Sequence, residues 1–89
     1  MKVVISNSPN HSTKIRKKKN IKFIVIHYTG MQSERACIER LSSNKSQVST
    51  HYLINTVGRI IKMVNEKNTA WHAGKSKWKN FINLNDQSI

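Results

Sequence analysis

The feature that most constrains this chain is the run Ile21-Lys22-Phe23-Ile24-Val25-Ile26, which leads almost unbroken apolar character into His27-Tyr28-Thr29-Gly30. A short run rich in β-branched residues and closed by a turn glycine predicts a strand covered on both faces that ends at a polar rim. A histidine at that rim stands on rigid backbone with its imidazole clear of the sheet edge, the geometry of a metal ligand or an acid–base group. Taken alone, the run equally fits a buried histidine hydrogen-bonded to a neighbour.

Length limits what can be built around that strand. Eighty-nine residues allow at most one domain, and a chain of that size buries only roughly 60 to 65% of its unfolded surface. Stability is expected to be marginal unless a metal, a partner or more chain contributes. The single cysteine, Cys37, cannot form an internal disulfide, which points to a reducing compartment. No segment approaches the ~20 apolar residues of a membrane span, and Val3-Val4-Ile5 is too short for a signal-peptide core of ~7 to 15 residues. A soluble, cytoplasmic protein outside the general secretory route is the expectation.

Sixteen Lys and Arg against four acids leave a net charge of +12, which attracts polyanions of any kind. The cations concentrate in Lys14-Ile15-Arg16-Lys17-Lys18-Lys19 and at Lys75, Lys77 and Lys79. No nucleic-acid motif accompanies them, so a solvated charge run is favoured over specific nucleic-acid binding.

Residues 1–20 read as an N-terminal basic loop, with turn formers around Pro9, and residues 21–89 as the folded domain. After Gly30, the spacing of Ala36, Cys37, Ile38 and Leu41 predicts one amphipathic helix, capped by Ser33 with Glu34 in its first turn and stopped at Ser42-Ser43-Asn44. Ser49–Asn55 and Arg59–Val64 around Thr56-Val57-Gly58 form a hairpin signal. Ala70-Trp71-His72-Ala73-Gly74 reads as an ordered loop, and Phe81–Ile89 as the approach to another strand. Trp71 and Trp78 suit core packing or a sugar-stacking wall.

Four histidines (His11, His27, His51, His72), Cys37 and four acids could supply a zinc site, which needs three protein ligands and an open position if it is catalytic. None forms a compact ligand pair, so a site must be assembled from distant segments. Cys37 reads better as a small buried hydrophobe on the helix than as a nucleophile. By strand alternation His51 shares a face with Leu53, which suits a hydrogen-bonded, partly buried histidine as well as a site role. His72, between Trp71 and Ala73-Gly74, reads as a binding residue or as core.

In order, Ser8-Pro9-Asn10-His11, Phe23–Met31, Val48–Ile54 with Gly58-Arg59-Ile60, Ala70–Gly74 with Trp78, and Leu84-Asn85 with Ser88-Ile89 resemble the zinc-dependent N-acetylmuramoyl-L-alanine amidases. That family shares its fold with peptidoglycan recognition proteins, and the pattern is most similar to the branch that trims anhydro-muropeptides in cell-wall recycling. The resemblance implies an α/β fold, here the N-terminal part of a mixed central β-sheet with flanking helices. It implies His27 as the first of three zinc ligands and Trp71 and His72 as walls of a groove for peptidoglycan fragments. His51 and His72 match positions that are not ligands. The acidic catalytic residue and the other ligands are expected beyond Ile89, so the resemblance implies a truncated domain, inactive alone. One apolar face of Ile21–Ile26 and one sheet edge are then expected to be exposed unless a companion chain completes the sheet. Two other readings stay open: a non-catalytic muropeptide-binding module using Trp71, His72 and Lys75–Lys79, and a basic nucleic-acid binder using Lys14–Lys19.

Overall fold

A computed structural model of the chain describes residues 3–31, 33–73, 77–78, 81–82 and 84–89, with the backbone alone at 77–78 and 81–82. The lysines of the Lys75–Lys79 stretch and the ring of Trp78 lie outside the described residues. The main sheet has three strands in the order β1 (Val3–Ile5), β4 (Ile60–Lys62), β3 (Tyr52–Ile54), with β1 parallel to β4 and β3 antiparallel to it. β2 (His11–Ile15) pairs antiparallel with β5 (Asn68–Ala70), and β6 (Lys77–Trp78) with β7 (Phe81–Ile82). One α-helix, α1 (Glu34–Ser42), and 3-10 turns at Lys18–Asn20 and Leu84–Gln87 complete the described elements. This is a mixed α/β arrangement, and no helix among the described residues is long and apolar enough to cross a membrane.

The hairpin and the helix form as their local sequence dictates. Leu53 and Ile61 face each other across β3 and β4 and are both buried, while the flanking pairs Tyr52–Lys62 and Ile54–Ile60 point the other way. The turn is set by Asn55, whose Oδ1 accepts from the N–H groups of Val57 at 3.1 Å and Arg59 at 2.8 Å. Gly58 follows at φ 82°, a left-handed conformation that costs glycine nothing. On α1, Ser33 Oγ accepts from Ala36 N–H at 3.0 Å, and Cys37 is buried against Leu53, Ile61 and Met63, with Ile38 and Leu41 packed alongside. Cys37 is therefore a core residue.

The first twenty residues, expected as a loop, instead contribute two strands. β1 adds a parallel edge to β4, and the ladder continues through Ser6 N–H to the Lys62 carbonyl and Ser8 N–H to the Met63 carbonyl. Behind it lies a buried polar knot. Asn10 is 1% exposed, and its Nδ2 donates to the carbonyls of Ser43 at 2.7 Å and Val48 at 2.8 Å, while its own carbonyl accepts from Ser49 Oγ. One amide thus ties the N-terminal segment to the end of α1 and to the approach to β3.

The apolar run differs from expectation on one face. Its backbone pairs in parallel with the chain's last residues: Phe23 N–H donates to Gln87 O, Val25 N–H to Ile89 O, and Ile89 N–H to Phe23 O. Phe23 and Val25 are half-buried, but Ile24 is 79% and Ile26 91% exposed. The expected strand covered on both faces is therefore corrected to an extended segment, joined to the C-terminal residues by an isolated parallel bridge at Phe23 and covered on one face. The accessible surface agrees: it is 6813 Å² for 10.3 kDa, against about 5,400 Å² for a typical folded monomer of that mass.

Replacing the knot amide tests this frame. Asn10→Ala leaves the half-buried Val48 carbonyl without its donor, while the Ser43 carbonyl keeps Ser46, and is expected to lower the unfolding free energy by about 1 to 3 kcal/mol, read as a shift of the urea midpoint at unchanged slope.

Candidate functional site

His27 ends the apolar run, and the fold brings His72 to it. His72 follows β5, in a loop held by three backbone anchors. Trp71 N–H donates to Ser49 Oγ at 2.9 Å, while the N–H groups of His72 and Ala73 donate to Asn85 Oδ1 at 3.1 and 2.8 Å. Trp71 itself is half-buried, and its carbonyl accepts from Ser49 N–H at 2.9 Å. This loop presents the His72 ring between His27 and Ser88.

The hydrogen bonds fix how the protons lie. Ser88 is fully buried, and its hydroxyl donates to the Leu84 carbonyl at 2.6 Å, so toward His72 it can only accept. His72 Nε2–H therefore donates to Ser88 Oγ at 2.9 Å, which leaves Nδ1 as the acceptor of a neutral ring. His27 Nε2–H then donates to His72 Nδ1 at 2.9 Å, and the bare lone pair on His27 is Nδ1. His27 is exposed, so that lone pair faces solvent, free to bind a cation or take a proton. Burial, with the nearby rings of His27 and His51 and the Arg16 charge, holds His72 down at about 4, which keeps the ring neutral at pH 7.

His51 is fully buried, with its ring centre 6.4 Å from that of His72. Its Nε2 lies 2.8 Å from the Asn68 carbonyl and 3.2 Å from Arg16 Nη2. A single nitrogen cannot both donate to a carbonyl and accept from a guanidinium. The shorter contact assigns Nε2–H to Asn68, makes Arg16 a neighbour, and leaves Nδ1 buried with no partner among the described residues. Burial also lowers the His51 pKa, partly offset by the bond to Asn68, so this ring is a neutral structural member. His11 sits elsewhere, on β2 opposite Ala70, donating from Nδ1 to the Ser12 carbonyl at 2.9 Å.

Sequence reading singled out His27, His72 and Trp71 but gave no role to Ser88, Asn85 or Arg16, which hold them. Arg16 was the one guanidinium in a run of lysines, and a five-donor fork among point charges was the available signal. Among the described residues, no group of three His, Cys, Asp or Glu could hold a metal ion. His27 offers the exposed, unengaged imidazole nitrogen of this relay, and one ligand does not make a zinc site.

The geometry defines an α/β domain that displays one exposed histidine on a relay of inner side chains. By sequence the chain belongs to the N-acetylmuramoyl-L-alanine amidase family, whose family model matches residues 17–89. It is 40% identical over 76 residues to the N-acetylmuramoyl-L-alanine amidase AmiD of Escherichia coli (strain K12), a match covering 78% of this chain and 26% of that protein. The chain therefore spans about a quarter of that relative's length. No solved structure gives a significant match.

Two measurements test the proton assignments. Nitrogen NMR of the histidine rings should show His27 as a single Nε2–H tautomer in the wild type and as a tautomer mixture in Ser88→Ala, where His72 loses its acceptor. The second is stability against pH. The unfolded chain protonates its histidines near 6.5 while folded His51 and His72 resist, so below that pH the unfolded state binds more protons. Stability is then fully present above 6.5 and falls as pH drops towards the His72 value of about 4. The expected slope is at most about 1.4 kcal/mol per pH unit for each histidine, and a flat urea-midpoint profile from pH 7 to pH 5 contradicts it.

Proposed function

We propose that this chain is part of a zinc-dependent N-acetylmuramoyl-L-alanine amidase, cleaving the amide between the lactyl group of N-acetylmuramic acid and L-alanine in peptidoglycan fragments. The observation that carries the reading is the family match over residues 17–89 ending on the segment that positions His27. In this reading the chain forms the N-terminal part of the family's central sheet, and His27 supplies one zinc ligand through Nδ1. The other ligands and the acidic catalytic group come from residues outside these 89, in keeping with the 26% span of the relative. Bound zinc would supply polarisation of the amide carbonyl and activation of water.

The chain's own contribution is orientation. Both ring nitrogens of His72 are engaged, so this residue steadies His27 and offers substrate only its ring edge, while Trp71 provides the apolar wall beside it. With a single cysteine in these 89 residues, the proposal takes a reducing setting such as the cytoplasm. A second reading is a domain that binds muropeptide without turnover, since Trp71 and His72 need no metal to line a groove.

The test is hydrolysis of an anhydro-muropeptide with added zinc, read by mass spectrometry. The 89-residue chain is expected to give no free peptide alone. A longer protein carrying this segment should release it, and His27→Ala should reduce that release to background. Muropeptide binding by the folded chain, with no turnover in either form, supports the binding module instead.

A further inference from the structure

An open cavity of about 710 Å³ lies between β2, the Lys18–Asn20 turn and the segment Asp86–Gln87. Among the described residues its walls include neither His27 nor His72, so it is distinct from the relay. Four lysines line it: Lys14 on β2, Lys17 and Lys19 around the turn, and Lys22 at the start of the apolar run. The only ion pair between described residues joins Arg35 and Glu39 on α1, so none of these four ammonium groups has a carboxylate partner there.

The lining also holds Arg16 and the single acid Asp86, but these offset each other. Arg16 donates to the carbonyls of Glu66 at 2.8 Å, Asn85 at 3.0 Å and Ser88 at 2.8 Å, and the Asp86 charge acts on that guanidinium. The four lysines remain as uncompensated charge.

Their backbone is fixed. Arg16 N–H donates to Lys67 O, Asn20 N–H to Lys17 O, and Lys22 N–H to Gln87 O, so four exposed lysines spring from anchored backbone around one concavity and raise its positive potential. An anion between them is held by that potential. The shape decides which anion. Among the described residues no aromatic ring lines the cavity to stack the bases of a single strand, and a concavity has no element to enter a duplex groove. Ammonium groups act as point charges that accept phosphate or carboxylate alike.

We propose that this cavity binds a small anion carrying two or more phosphate or carboxylate groups. The probes are tripolyphosphate and citrate, titrated calorimetrically into the full chain at 0.15 M salt, with amide NMR to locate the site. Saturable binding of either probe is expected, with shifts confined to residues 12–22 and 86–87. Preference for tripolyphosphate assigns a phosphate ligand, and preference for citrate a carboxylate ligand. The double variant K17E/K19E, checked for folding by circular dichroism, should weaken binding at least about tenfold, as removal of close charge partners does. K45E/R59E makes the same change in net charge away from the cavity and should leave affinity nearly unchanged. Equal losses in the two variants, or no saturation, overturn the proposal by showing attraction to net charge alone. Tighter, steeply salt-dependent binding of a DNA duplex through the same lysines overturns it in favour of nucleic acid.

Discussion

Much of the structure depends on the guanidinium of Arg16. Its Nε–H and Nη1–H groups reach three carbonyls contributed by the segment before β5 and by the C-terminal turn, while Nη2 lies against His51. Segments far apart in sequence are thereby fixed to one planar group. A lysine could satisfy one or two of those acceptors from a single point but could not span them, because only a rigid fork places several donors in divergent directions. Burial lowers the Arg16 pKa from its usual value, an effect opposed by Asp86 and Glu66, so this is a charge kept inside by its hydrogen bonds.

Burial, with that charge as a lesser contributor, keeps His51 and His72 neutral. A guanidinium 3.2 Å from His51 Nε2 opposes protonation of the ring, and its field extends to His72. Neutral rings have one donor and one acceptor each, and only neutral rings give the Ser88–His72–His27 chain a single direction. A protonated His72 would present N–H groups on both sides, and His27 would have to turn its proton outward and lose its outward lone pair. The clamp and the exposed imidazole are thus parts of one electrostatic arrangement, although Arg16 does not touch His27.

Local signals in the sequence gave the local structure. The Asn55 and Gly58 turn, the Ser33 cap and the apolar face carrying Cys37 are each set by residues within a few positions of one another, and each formed as expected. The non-local parts were hidden. Val3–Ile5 looked like a stray apolar touch because a parallel edge strand is defined by its partner β4, not by its own pattern. Asn10 fell in a segment read as a loop, and Asn85 and Ser88 in one read as the approach to a strand, since a buried polar residue differs from an exposed one only in what it meets. His27 and His72 stood out as chemistry-bearing residues, but at a sequence separation of 45 nothing hinted that they touch.

The apolar run leaves one side open to solvent. Phe23 and Val25 are half-buried, while Ile24, Ile26 and the ring of Tyr28 face water within a few residues of His27. Contiguous apolar surface of this kind gains free energy from any layer laid over it, whether further chain or a second subunit. The same layer would exclude water from around His27, and in the lower dielectric the His27–His72 hydrogen bond would strengthen and the bare Nδ1 would demand a partner more strongly. A layer over this face would therefore also enclose His27: the apolar side chains would supply the driving force and the relay would hold the imidazole in one orientation.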